Sequence, residues 1–96
     1  TAMQEIKLFV LQGCSYCHRA REMIDAILAE HPEYAKVPLT VIDEWQQPDI
    51  ADKYDYYYVP SIFIGDEKLM EGPPSRKAIE AAFAKAAAPR GGGSRQ

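Results

Sequence analysis

Cysteine is scarce in this chain. Cys14 and Cys17 are the only two among 96 residues. A chain of this length buries one modest core without disulfide staples, so the pair is available as working thiols. Close spacing without an export signal points to a reducing compartment, the cytoplasm. The opening stretch "TAMQEIKLFV" has no basic n-region and no long apolar h-region, so it is not expected to be a secretory signal. Apolar runs stay below about 18 residues, which excludes a membrane-spanning helix. Basic clusters with interleaved aromatics are absent, and the formal net charge is −3, so nucleic acid is not an expected partner. There is no internal repeat. One domain is expected over residues 1–88, followed by a flexible tail, 89–96, that has no large apolar side chain.

What is present reads as an alternation of strands and helices. The segment from Lys7 to Gln12 is apolar and rich in β-formers, and Gly13 breaks it. From Cys14 the period changes. Cys17, Ala20, Ile24, Ile27 and Leu28 form one helical stripe, while His18, Arg21, Glu22 and Asp25 take the opposite face. The helix ends before Pro32 or frays towards Tyr34. Lys36 to Glu44 is a second strand. Pro48 opens a short helix running through Ile50, Ala51 and Tyr54, with Trp45 expected to pack on it. "SIFIG" is a third strand, Asp66-Glu67 a tight turn, and Lys68 to Glu71 the returning strand. Ser75 caps a last helix whose inner face is Ile79, Ala82, Phe83 and Ala86, and Pro89 ends it. The expected fold is α/β, in the order β-α-β-α-β-β-α. Its four-stranded mixed sheet carries helices on both faces, with a right-handed first crossover.

The stretch "GCSYCHRA" carries the chemistry. Cys17 falls on the apolar stripe and should be partly buried. Cys14 falls at the helix entrance, where unpaired N–H groups and the positive end of the dipole stabilise a thiolate. Arg19 and Arg21 stand near enough to assist weakly across solvent. Cys14 is thus the expected nucleophile and Cys17 the resolving thiol. Other readings of the pair remain. Cys14-Ser15-Tyr16-Cys17-His18 also spells a c-type haem attachment sequence, with Met70 as a distant second ligand. Zinc would need His18 or His31 as well, and no metal site is expected. The run Tyr54, Tyr56, Tyr57, Tyr58 reads either as amphipathic rings in partial packing or as an aromatic wall beside the dithiol.

The chain resembles the glutaredoxins of the thioredoxin-like superfamily over residues 4–88. The C-S-Y-C motif at a strand-to-helix junction, the segment "YVPSIFIG" and the element order carry the resemblance. The resemblance implies a thioredoxin-like, glutaredoxin-type fold. It implies a monomeric oxidoreductase that reduces protein or glutathione mixed disulfides, with electron transport through a redox-active disulfide. It implies that Pro60 is cis and faces the dithiol, and that the Val59 backbone pairs with bound substrate like an added strand. Tyr16, Tyr58, Gly72 and Ser75 would complete the substrate site, with glutathione as a co-substrate and no tightly bound cofactor. Three positions depart from the family pattern. Leu11 stands where glutaredoxins carry a glutathione-holding lysine. Glu71-Gly72-Pro73-Pro74-Ser75 stands where they carry a Gly-Gly pair and an aspartate. Leu8 stands where thioredoxins keep a buried aspartate. A thioredoxin-reductase-like donor is therefore the other expected source of electrons. The alternative class is a non-enzymatic module that binds a partner, or senses redox state, through the same fold.

Overall fold

The computed structural model describes residues 4–88. The expected tail, 89–96, lies outside them. Strand β1 (Ile6–Val10) is followed by helix α1 (Ser15–Glu30), a short 3-10 turn (Pro32–Lys36) and strand β2 (Leu39–Asp43). Helix α2 (Pro48–Ala51), strands β3 (Ser61–Ile64) and β4 (Glu67–Glu71), and helix α3 (Arg76–Ala87) complete the order. The sheet runs β2-β1-β3-β4. β1 is parallel to β2, as the α1 crossover requires. It is antiparallel to β3, which is antiparallel to β4. The α/β class, the mixed four-stranded sheet and the β-α-β-α-β-β-α order are those expected.

β1 is central, and its side chains divide the molecule. Ile6, Leu8 and Val10 join Ile62 and Ile64 of β3 on one face, under α1 and α3. Phe9 and Phe63 lie on the other face with Ile42 and Ala51, beside α2. Period-two alternation produces this split. The helices answer it with period-3.6 stripes. In α1, Cys17, Ala20, Ile24 and Ile27 are buried, while Leu28 is only partly so and packs at the margin. In α3, Ile79, Ala82, Phe83 and Ala86 are buried. Each large side chain removed from water in this way stabilises the fold by about 1.5–3 kcal/mol before entropic costs.

Element ends differ from the sequence reading for local reasons. β1 stops at Val10 rather than Gln12, because the Leu11 carbonyl accepts the Cys14 N–H at 3.1 Å and turns the chain. Gly13 sits in that turn at φ +86°, a conformation that favours glycine. The hairpin turn is Gly65-Asp66, one residue earlier than expected, with Gly65 at φ +59°. α1 ends at Glu30, and Tyr34 belongs to the 3-10 turn. Regular α2 is a single turn ending at Ala51; beyond it the Lys53 and Tyr54 N–H groups still bond the carbonyls of Ile50 and Ala51, at 3.1 Å each. Ser75 caps α3 as expected, its hydroxyl accepting the Ala78 N–H at 3.3 Å.

Trp45 does not pack on α2: it is 79% exposed. The Asp43 carboxylate accepts the N–H groups of Trp45 (2.8 Å) and Gln46 (3.4 Å), and the resulting turn carries the indole outward. The tyrosine run divides into a packed pair and an exposed pair. Tyr54 and Tyr56 lie against Phe9, with ring centroids 4.8 and 5.0 Å away. Tyr57 and Tyr58 are 84% and 68% exposed.

A carboxylate from the hairpin holds the segment before Pro60. The register pairs Ser61 with Glu71. Glu71 Oε2 accepts the Tyr57 and Tyr58 N–H groups, at 2.5 and 2.9 Å, while Oε1 pairs with Lys68 Nζ at 2.7 Å. The Lys68 ammonium first, and then these two N–H groups, hold the Glu71 carboxyl down to about 2, against an ordinary 4.5. The folded value lies below the unfolded one, so Glu71 contributes fully above about pH 4.5 and progressively less as pH falls towards 2. Glu71→Gln should therefore lower the thermal midpoint at neutral pH. The gap between variant and wild type should close as pH drops from 4.5 towards 2. Thermal unfolding followed by circular dichroism across that range reads it, and a gap independent of pH contradicts the assignment.

Candidate active site

The two cysteines stand at the junction of β1 and α1. Cys14 is the N-cap of α1, with extended backbone at φ −86° and ψ 121°. Cys17 is in the first turn, on the buried stripe, and 4% exposed. Both are free thiols. They line one cavity of about 240 Å³ with Leu11, Gly13, His18, Arg21 and Asp43 among its walls. Arg21 lines this cavity and Arg19 does not, and both are exposed.

The junction makes the thiols chemically unequal. At Cys14, burial resists ionisation, but the backbone N–H of Cys17, the Cys17 thiol and the backbone N–H of Tyr16 outweigh it. Its pKa falls below that of a free thiol. The neutral sulfur makes no formed cap hydrogen bond. The amides act as unpaired partial charges that a thiolate satisfies. At Cys17, burial dominates and pushes the thiol up to about 12, although the Leu11 N–H favours the anion. The neighbouring Cys14 and the charge of Glu44 push it further. A ready nucleophile thus sits beside a thiol that stays protonated until it is needed.

Of the other expected site residues, Tyr58, Val59 and Pro60 share one loop, Gly72 is tied to it, and Tyr16 and Ser75 lie elsewhere, at the starts of α1 and α3. The Val59–Pro60 peptide bond is cis, as the resemblance implies. Pro60 is fully buried. Val59 packs against the same hydrophobic cluster as Cys14, the cluster that contains Cys17. The Gly72 N–H donates to the Pro60 carbonyl at 3.0 Å, and Gly72, at φ +84°, lies against Tyr58. Ser61, fully buried at the start of β3, donates its hydroxyl to the Tyr58 carbonyl. Tyr16 stands 43% exposed beside the thiols in sequence. Ser75 is exposed at the start of α3, with its hydroxyl engaged in the cap. The hydrogen bonds to Gly72 and Ser61, together with the Glu71 clamp, fix the loop from three sides.

Sequence reasoning passed over Asp43, Glu44 and Glu71. Asp43 and Glu44 end β2 beside the C-terminal end of β1, where open α/β sheets collect their functional groups. That placement was available as a signal. Glu71 was not, because its role depends on the β3–β4 register.

The residues fit neither haem nor zinc well. His18 is exposed and lies 3.3 Å from Glu22 on the solvent side of α1, while Met70 is buried in β4. Among the described residues, Glu30, His31 and Glu80 bring metal-capable atoms together, and Cys14 and Cys17 are not part of that group. Arg76 already pairs with both of its carboxylates.

Comparison with known proteins agrees with this geometry. Residues 4–84 match the family described as a thioredoxin domain. A thioredoxin of Methanocaldococcus jannaschii is 27% identical over 81 residues, which cover 84% of this chain and 93% of the relative. Among solved structures, the thioredoxin of Malassezia sympodialis superposes with a TM-score of 0.68 at 20% identity, over 88% of this chain and 75% of that one. The oxidized mitochondrial thioredoxin 3 of Saccharomyces cerevisiae gives 0.68 at 17% identity, over 88% and 79%. At such identities the structural likeness speaks for the fold, and the match over residues 4–84 speaks for the family. The chain belongs to the thioredoxin-domain family of thiol–disulfide oxidoreductases.

Proposed function

We propose that this protein reduces disulfides in target proteins with Cys14 as nucleophile and Cys17 as resolving thiol. The observation that carries the reading is the opposed pair: a thiol favoured as the anion at a helix N-terminus beside one held neutral by burial. In the first step the Cys14 thiolate attacks one sulfur of the target disulfide. A Cys14–target bond forms, the target S–S bond breaks, and the leaving thiolate takes up a proton. In the second step Cys17 gives up its proton and attacks Cys14 Sγ. The Cys14–target bond breaks, the Cys14–Cys17 disulfide forms, and the target leaves reduced by two electrons. Val59, Pro60, Tyr58 and Gly72 form the platform on which an extended target segment lies, with Tyr16 at its edge.

A thioredoxin-reductase-like protein is the donor that restores the dithiol in this reading. Partly buried Leu11, rather than a lysine, lines the thiol cavity. Glu71 is committed to the tyrosine loop, and the Ser75 hydroxyl to its helix. Little is therefore left to grip glutathione beyond Arg21, and glutathione is the lesser donor. A reducing compartment such as the cytoplasm, and a monomer, suit this role. Among the described residues no helix is long and apolar enough to cross a membrane.

The thiol variants test the mechanism. Cys14→Ser should abolish reduction of insulin disulfides, and Cys17→Ser should stop at a trapped mixed disulfide visible by mass spectrometry. Full turnover by Cys14→Ser would sink the mechanism. Iodoacetamide should modify Cys14 with a pH midpoint below that of a free thiol in the same buffer, while Cys17 stays unmodified. A Cys14 midpoint equal to the free thiol favours a binding module instead. Insulin reduction driven by NADPH and thioredoxin reductase should exceed that driven by glutathione and its reductase, and the reverse order would reassign the donor.

A further inference from the structure

A second cavity, of about 390 Å³, opens on the α2 side of the sheet. This falls within the range of roughly 300–1,000 Å³ typical of ligand sites. Its walls include the rings of Trp45, Tyr54, Tyr56 and Tyr57 and the carboxylates of Glu44 and Asp52, with no basic side chain among the described residues that line it. The floor is rigid, because Tyr54 and Tyr56 pack on Phe9. The rim is not used by the fold: among the described residues, Trp45 and Tyr57 are the two most exposed large apolar side chains, at 79% and 84%.

The acids are also available. Among the described residues, lysine and arginine pair with Glu5, Glu30, Glu67, Glu71 and Glu80, and none pairs with Glu44 or Asp52. Glu44 Oε1 accepts the Tyr56 hydroxyl at 2.9 Å, which orients the carboxylate and leaves its other oxygen free to accept. Burial first, and then the hydrogen bond to Glu44 and the charges of Glu44 and Asp52, raise the Tyr56 phenol far above its ordinary range. Aromatic faces combined with carboxylates are the chemistry that holds an organic cation. Arginine suits it best, since its guanidinium plane stacks on a ring while its N–H fork meets a carboxylate.

The cavity stands near the thiols: the charge of Glu44, in its wall, acts on Cys17. Asp43 lines the thiol cavity and Glu44, the next residue, lines this one. Tyr57 stands two residues before Val59. Tyr57 and Glu44 thus connect this cavity to the loop that carries Val59 and to the thiols.

We propose that the cavity of Trp45, Tyr57, Glu44 and Asp52 takes an arginine or lysine side chain of the disulfide-bearing target, and so selects targets basic near their cysteine. This rests on the disulfide-exchange reading above. The test uses synthetic peptides whose single cysteine is disulfide-bonded to nitrothiobenzoate, differing only in Arg, Gln or Glu at one position scanned along either side. At the best position, kcat/KM for the Arg peptide should exceed that for the Glu peptide by about fivefold to tenfold, as one cation–π contact with an exposed ion pair supplies. That ratio should fall towards unity in Trp45→Ala and in Asp52→Asn. It should persist in Glu33→Gln, which removes the same charge from the 3-10 turn beyond α1.

A ratio of unity in the wild type, or one that survives both cavity variants, overturns the inference. A second arm does not depend on the thiols. Trp45 is the chain's only tryptophan, so its fluorescence should titrate with a cysteine-free, tryptophan-free Arg peptide and not with its Glu counterpart. Absence of that response overturns the cavity assignment. Loss of turnover on every peptide, with the fluorescence response intact, overturns the disulfide-exchange reading and leaves the cavity assignment standing.

Discussion

Leu8 and Phe9 are neighbours in the chain, face opposite sides of the sheet, and are each fully buried. A strand that must hide both of its faces needs partners on both, and everything else follows from supplying them. α1 and α3 cover the Leu8 side; Ile42, Ala51 and the rings of Tyr54 and Tyr56 cover the Phe9 side. Because β1 is held on both faces and paired on both edges, its C-terminal end is an immobile point. The Gly13 turn and the start of α1 are built directly on that point. The thiols inherit their placement from it: one at the mouth of the helix, one three residues on and facing inward.

That placement converts a symmetric chemical pair into an asymmetric one. Exposed amides lower the pKa of the first sulfur, and the core raises that of the second. The difference owes nothing to the residue types, which are identical, and everything to their positions about the helix axis. The loop ending in cis-Pro60 is held by hydrogen bonds with β4 and its following turn, through Glu71 and Gly72. The two thiols thus hang from the central strand β1, while the loop before Pro60 is fixed by the β3–β4 hairpin.

Much of this was legible before any coordinates, and the reason is periodicity. The stripe of α1 separated Cys14 from Cys17 in the sequence, and the near-continuous apolar runs of β1 and β3 announced buried strands. The Ser75 cap and the inner face of α3 were equally plain. What stayed hidden depends on long-range register. Glu71 reaches Tyr57 and Tyr58 only because β3 and β4 pair Ser61 with Glu71. Tyr54 and Tyr56 looked like their neighbours Tyr57 and Tyr58, and only Phe9, some 45 residues upstream in sequence, distinguishes them. Trp45 was misplaced because large apolar rings are buried on average, whereas a local carboxylate turn at Asp43 decides its direction.

β4 is an edge strand, five residues long, with exposed Glu67 and Lys68 at its outset. Short, charged edges discourage a second chain from adding a strand there. Charge at the start of β4 thus makes this edge a poor template for pairing with a second copy of the chain.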